Sequence, residues 1–271
     1  MLKQRTIVAL ILAPIALLAA YFGRIPYLAL IAVMLVIAAW EYTQLLRSAK
    51  HKPIPFLTIG GVLLFVIGRA LTGFESAPLS LTLLLLLSAS THLIRFERGH
   101  DTTAADLSAT ALIAVYVGWL GAYFISLRNL NGGEWLTMLV FFIVWLTDTG
   151  AYFVGKAWGK HKLCPRLSPK KTWEGYFGGL MAGLAGGALI PLWMTIPGID
   201  ITPWHGAALG LILALSIPLG DLAVSMVKRQ VAQKDSGNFL PGHGGALDRL
   251  DTLLWAMPIS YYVILYIFPI L

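Results

Sequence analysis

Charge is scarce in this sequence: Asp, Glu, Lys and Arg make up only 12% of its 271 residues, about half the share of a soluble domain. Too few charged groups remain to cover a water-facing surface, which excludes an ordinary soluble fold. Cysteine is nearly absent as well. The single Cys164 rules out an intrachain disulfide and any multi-cysteine zinc site. Acids are outnumbered, 13 against 20 Lys and Arg. A basic excess can signal nucleic acid, but in apolar chains the placement of basic residues reports topology first. No nucleic-acid partner is read from it.

What fills the sequence instead is apolar: 58% hydrophobic residues and a mean hydropathy of +0.76. Only a bilayer accommodates that composition. Runs of roughly 17–25 apolar residues are long enough to cross it. Nine are read, at 5–23, 26–46, 54–73, 78–95, 106–127, 135–155, 174–196, 203–225 and 252–270. The expected fold is therefore all-α and polytopic, a single membrane domain over 1–271. Within it the N-terminal helices, 1–130, are unspecific, and 135–271 holds the chemistry-bearing half. The opening MLKQRTIVALILAPIALLAAYFG has the basic start and apolar core of a signal peptide. Another span follows at once, so it reads as a retained first helix.

Nine spans sort the loops onto two sides. Seventeen of the 20 Lys and Arg fall on the side of the N-terminus, and only Arg24, Arg69 and Arg128 do not. By the positive-inside rule that side is cytoplasmic. The two long polar loops, 156–173 and 226–251, then face the compartment that holds nucleotides and magnesium.

Three stretches carry the polar chemistry. In LSIPLGDLAVSMVKRQVAQKD, Asp221 lies inside an apolar helix, with Ser225 and Lys228 on its face at helical spacing. A charge inside a span costs several kcal/mol, about 2.5–3.5 on insertion scales, unless paired or hydrated. An Asp221–Lys228 pair that only joins helices is the plainer alternative. In PGHGGALDRLD, the glycines, Gly244 and Gly245 among them, permit a tight backbone. Asp248 and Asp251 follow at i and i+3, with Arg249 between and His243 and Lys234 close in sequence. One or two carboxylates completed by substrate phosphates suit magnesium; an acidic helix start explains Asp248 alone. In FVGKAWGKHKLCPRLSPKKTWEG, Ser168 and Pro169 read as an N-cap and first helical residue. Lys170 and Lys171 would then sit in the first turn, where backbone N–H groups attract anions. Asp148 is a second intramembrane acid. Glu41 reads as an interfacial acid that snorkels beside aromatic residues, and His92 as a loop or interface residue.

The segment SMVKRQVAQKDSGNFLPGHGGALDRLD, Ser225 to Asp251, resembles the signature of phosphatidate cytidylyltransferases. DTGAYFVGK and LSPKKTWEG extend the likeness across the C-terminal half, while the first hundred residues match only as apolar helices. The resemblance implies an enzyme that joins CTP to phosphatidate, giving CDP-diacylglycerol and pyrophosphate, in the cytoplasmic (inner) membrane of a bacterium. It implies magnesium, with potassium as a second cation, and a homodimer in contact with membrane lipid. Asp221 and Asp248 would be the leading metal ligands, with Asp251 and Asp148 behind them. Lys170, Lys171, Lys228, Arg229, Lys234 and Arg249 would neutralise phosphates, and His243 would hydrogen-bond one. Two readings compete: a CTP-dependent lipid kinase, which would release CDP, and a cation-coupled transporter, which would turn over no nucleotide.

Overall fold

Backbone N–H and C=O groups inside a bilayer find no water and must pair within their own segment, so apolar runs close into helices. The computed structural model describes residues 2–101, 103–193, 201–239 and 244–267. Its helices are α1 (Leu2–Phe22), α2 (Arg24–Ser48), α3 (Pro55–Thr72), α4 (Ser76–Glu97), α5 (Ala104–Ile113), α6 (Tyr123–Arg128), α7 (Gly133–Trp158), α8 (Trp173–Trp193), α9 (Pro203–Gln230), α10 (Leu247–Leu250) and α11 (Leu253–Ile267). A π-helical turn, Ala114–Trp119, continues α5. A small antiparallel hairpin, β1 (Lys162–Cys164) and β2 (Ser168–Thr172), lies between α7 and α8.

The all-α membrane class is what the composition predicts. Among the described residues, seven stretches are long and apolar enough to cross a membrane, judged by length and composition. Two of the expected segments, 54–73 and 78–95, fall in one of these, Pro55–Glu97. There a 3-10 turn at Gly73–Glu75 reverses the chain between α3 and α4. Close contacts of Gly61 with Leu84, and of Gly68 with Ser76 and Ser80, fix the two as an antiparallel pair. The first expected segment falls on α1, whose apolar part Ile11–Phe22 is shorter.

The chain divides into two compact units, Met1–Ser126 with Val227–Leu250, and Leu127–Met226 with Asp251–Leu271. The first is built on α2, α3 and α4. Gly118 of the π turn lets α3 approach so closely that a Cβ there would stand 2.8 Å from the Val62 Cα. Phe65, Leu84, Ala114 and Ala122 form a buried core cluster beside this contact. Arg69, near the end of α3, is buried yet satisfied. Its guanidinium lies 3.5 Å from the Phe74 ring centroid and 5.1 Å from those of Trp119 and Tyr123, and Nη1 donates to Ser126 Oγ at 2.7 Å. Cation–π contact thus replaces water around a charge that apolar surroundings would otherwise reject. His92 differs from its expected interfacial place. It is buried on α4, with Nε2 3.0 Å from Thr110 Oγ1.

The second unit is held by small residues. Between apolar helices in lipid, burial of greasy side chains adds little, and close backbone approach does the work. Cβ atoms at Gly187 and Gly206 would each run into the other's carbonyl oxygen, and one at Gly210 would meet that of Gly183. Thus α8 and α9 touch backbone to backbone. Gly150, Gly178 and Gly179 do the same for α7 and α8.

This packing gives an expected contrast. Gly206→Leu should lower thermal stability by about 3 kcal/mol or more, the upper end for overpacking, because backbone has nowhere to retreat. Gly60→Ala on α3, where nothing lies within 4 Å, should be neutral or stabilising by up to about 1 kcal/mol through helix propensity. Melting curves of the two purified variants would check it.

Candidate active site

The signature segment begins inside α9 and ends just past α10. In the first unit its buried centre is the pair Lys228–Asp248: Nζ stands 2.6 Å from Oδ1, and the two side chains are 7% and 8% exposed. The second carboxylate oxygen is also filled. Asp248 Oδ2 accepts from the Ser236 N–H at 2.7 Å, the Ser236 hydroxyl at 3.0 Å and the Gly245 N–H at 3.0 Å. A buried anion needs such donors because water cannot reach it.

The glycine pair has a steric reason. Gly244 sits at φ 79°, a left-handed conformation that glycine adopts freely, and a Cβ there would stand 2.7 Å from Asp248 Oδ2. A Cβ on Gly245 would collide with Glu41 Oε2 and the Ser236 hydroxyl. Each glycine therefore clears space for one carboxylate.

Glu41 is the residue that sequence reasoning misplaced. It does not snorkel: it is 6% exposed on α2. Oε1 accepts from the Ala246 N–H at 3.0 Å, and Oε2 accepts from the Leu247 N–H at 2.9 Å and the Ser236 hydroxyl at 2.8 Å. Gly237 packs on the same carboxylate, 2.5 Å from where its Cβ would be. Glu41 thus grips both limbs of the loop, 236–237 on entry and 245–247 on exit. No local pattern announces a partner some two hundred residues away. The available signal was an acid inside an apolar run, which has to find donors somewhere.

In the second unit Asp221 has a different lysine from the one its helical face suggests. Lys171 Nζ stands 2.5 Å from Asp221 Oδ2, each side chain 29% exposed, and the Ser225 hydroxyl donates to Oδ1 at 3.3 Å. The plainer sequence alternative had given Asp221 to Lys228; within the second unit its ion pair is with Lys171. Lys228 goes to Asp248, because the chain after α9 turns Asp248 onto it.

The Ser168 cap is also corrected. Ser168–Thr172 is strand β2, paired with β1 in a register of Lys162 with Thr172 and Cys164 with Ser168. Lys170 and Lys171 therefore lie on a strand and not in a helical first turn. Helix α8 starts at Trp173, and Thr172 is its cap: its Oγ1 accepts the Gly175 N–H at 3.2 Å. Thr172 wins because its buried side chain reaches the exposed N–H groups, while Pro169 and Lys170 are exposed on the hairpin. Glu174, in that first turn, accepts from the Lys160 and His161 N–H groups and lies 2.6 Å from His161 Nδ1. These residues, with Lys162, Trp173 and Phe177, line a cavity of about 680 Å³.

Asp251 is buried in the turn between α10 and α11, where Oδ1 accepts the Thr252 N–H at 2.7 Å. The helical run expected to carry both Asp248 and Asp251 is therefore broken between them. The Asp251 carbonyl lies against Gly220, whose Cβ would be 2.5 Å away. Asp148 is exposed on α7, as are Arg229, Lys234 and Arg249 on the first unit, and Arg229 Nη1 donates to the Gln233 carbonyl at 3.0 Å. His243 lies outside the described residues. Among the described residues no three His, Cys, Asp or Glu side chains gather as a metal cluster; magnesium, completed by phosphates, needs only one or two carboxylates.

The burial difference sets an expected order of stability. Lys228→Met leaves a buried carboxylate without its cation and should cost about 3–5 kcal/mol. Lys171→Met, at a pair nearly a third exposed, should cost less than about 1 kcal/mol. Glu41→Gln places an amide N–H₂ against backbone donors and should cost about 1–3 kcal/mol. Denaturation of the three variants in one detergent would check the ranking.

Comparison with known proteins adds an independent line. Residues 3–267 match the cytidylyltransferase family. A phosphatidate cytidylyltransferase of Bacillus subtilis is 35% identical over 274 residues, covering 97% of each chain. One from Brucella suis is 36% identical over 264 residues, 96% of this chain and 92% of its own. One from Mycobacterium tuberculosis is 33% identical over 254 residues, 90% of this chain and 76% of its own. With the match running from the first span to the last and the signature folded around its own acids, this chain belongs to the cytidylyltransferase family.

Proposed function

We infer that the chain is a nucleotidyltransferase of the membrane that condenses CTP with phosphatidate, yielding CDP-diacylglycerol and pyrophosphate. The observation that carries this is the signature loop itself, where glycines, Glu41, Ser236 and Lys228 all serve to fix one carboxylate, Asp248. A loop that only joined two spans would not need that arrangement. The names of the relatives in three bacterial genera supply the substrates.

The reaction suits these residues. The phosphatidate monoester has a second pKa near about 6 and is largely dianionic at neutral pH, so its oxygen attacks without a general base. That oxygen bonds to the α-phosphorus of CTP, the α–β phosphoanhydride bond breaks, and pyrophosphate leaves with the electron pair. Charge is then the main obstacle, as in other phosphoryl-type transfers. Lys170, Lys171, Lys228, Arg229, Lys234 and Arg249 are the cations for it.

Magnesium, when bound, would supply further neutralisation at the phosphates. Asp221 in the second unit and Asp248 in the first are the two carboxylates proposed as its ligands, and the surroundings of each, taken by itself, fit. Each presents a hard carboxylate to a lysine ammonium at 2.5–2.6 Å, so each already favours a cation. The lysine displaced from either acid would be a free donor for phosphate. Potassium as a second cation and a homodimer belong to the same reading, from the family resemblance. The basic loops support a cytoplasmic face in the inner membrane.

The test uses purified protein, dioleoyl phosphatidate, magnesium and CTP labelled at the α- or the γ-phosphate. The α-label should enter lipid and the γ-label leave as pyrophosphate, and Asp221→Asn, at a partly exposed pair, should lose the activity while remaining folded. Entry of γ-label into lipid would make the protein a kinase. No movement of either label would reject the reading.

A further inference from the structure

The ends of α2 and α4 hold a second cluster of charge that the reaction does not use. Arg47, Lys50, His51, Lys52 and Arg95 line a cavity of about 440 Å³ in the first unit. Helix α2 places Arg47 six residues beyond Glu41, about 9 Å along its axis. Each helix end favours one cation through its dipole, and the positive-inside rule favours more. Neither accounts for the details.

Three details point to a ligand. Arg95 lines the cavity, and its Nε is shielded from solvent and, among the described residues, has no hydrogen-bond acceptor. A shielded donor left unmade is costly, and native proteins rarely leave one. Lys50 holds φ 66° at the end of α2. Helices usually place glycine there, so a lysine is kept at a conformational cost. The local charge is also unbalanced. Lys52 pairs with Asp101 at 2.6 Å, and the His51 ring lies 3.8 Å from Asp106, leaving four Lys and Arg against two acids.

We propose that this cavity is a phosphate-binding site, taking the headgroup phosphate of an anionic lipid. The chemistry fits: forked guanidinium donors and ammonium groups around a space wide enough for a phosphate, next to helices that lipid surrounds. Free phosphate offers the same chemistry, so the experiment separates the two sources. The proposal stands on this cavity alone and does not depend on the reaction inferred above.

Protein would be placed in phosphatidylcholine nanodiscs, with and without added dioleoyl phosphatidylglycerol, an anionic lipid that is not a substrate of the inferred reaction, and a third sample would receive inorganic phosphate. Lysine acetylation would then be followed site by site by peptide mass spectrometry, with no CTP present. Phosphatidylglycerol should slow labelling of Lys50 and Lys52 about fivefold, the factor of one cation's attraction to an anionic surface. Lys162, exposed on β1, should be unaffected. Arg95→Gln should abolish the protection; with no side-chain acceptor to lose, it should fold as the parent does. Equal protection by inorganic phosphate would support the site and assign it to free anions. Protection that Lys162 shares, or that survives Arg95→Gln, would show general surface attraction and overturn the proposal. So would no protection at all.

Discussion

A carboxylate buried in a membrane protein has to be surrounded by donors, and the first unit is arranged around that requirement. Asp248 takes the Lys228 ammonium on one oxygen and three donors from the loop on the other. Glu41 takes three more from the same loop. Ser236 donates to both acids, so the two carboxylates share one tether. Remove either, and the other loses part of its support. A half-satisfied buried network is worse than none, so the loop is either held in this shape or lost.

The second unit solves a different problem by different means. Its helices α7, α8 and α9 approach through glycines until backbone meets backbone. That leaves little freedom for the helices to slide. Asp221 on α9 meets Lys171 on the hairpin that precedes α8. The hairpin is tied in turn to α8 through Thr172, whose hydroxyl caps that helix. The hairpin is thus joined to α8 by a hydrogen bond and to α9 by an ion pair.

Composition and run length made the class legible, because 58% hydrophobic residues call for a bilayer and unbroken apolar runs of about 20 residues fit spanning helices, where barrel strands would alternate. Motif spacing also singled out Asp221, Asp248 and Lys228. It could not say which acid Lys228 would meet, since two acids lie within its reach and the turn after α9 decides. Ser168–Pro169 satisfied every local rule for a helix start. The hairpin prevailed because β1 supplies a pairing partner and Thr172 a better buried cap. Glu41 was invisible for the opposite reason: its partners are supplied wholly by distant chain. Arg69 stood out in the sequence only as a cation near the end of a span, since the cage of Phe74, Trp119 and Tyr123 comes from beyond its own helix.

If Asp248 serves the inferred transfer, the loop that Glu41 and Asp248 pin should engage CTP. Hydrogen exchange resolved to the 236–247 segment, recorded with and without magnesium and CTP but without lipid substrate, tests it most directly. Slowed exchange is expected at Ser236 and Gly245–Leu247 in the presence of nucleotide, and no such change with magnesium alone. Unchanged exchange there, with nucleotide-dependent protection confined to other segments, would contradict it.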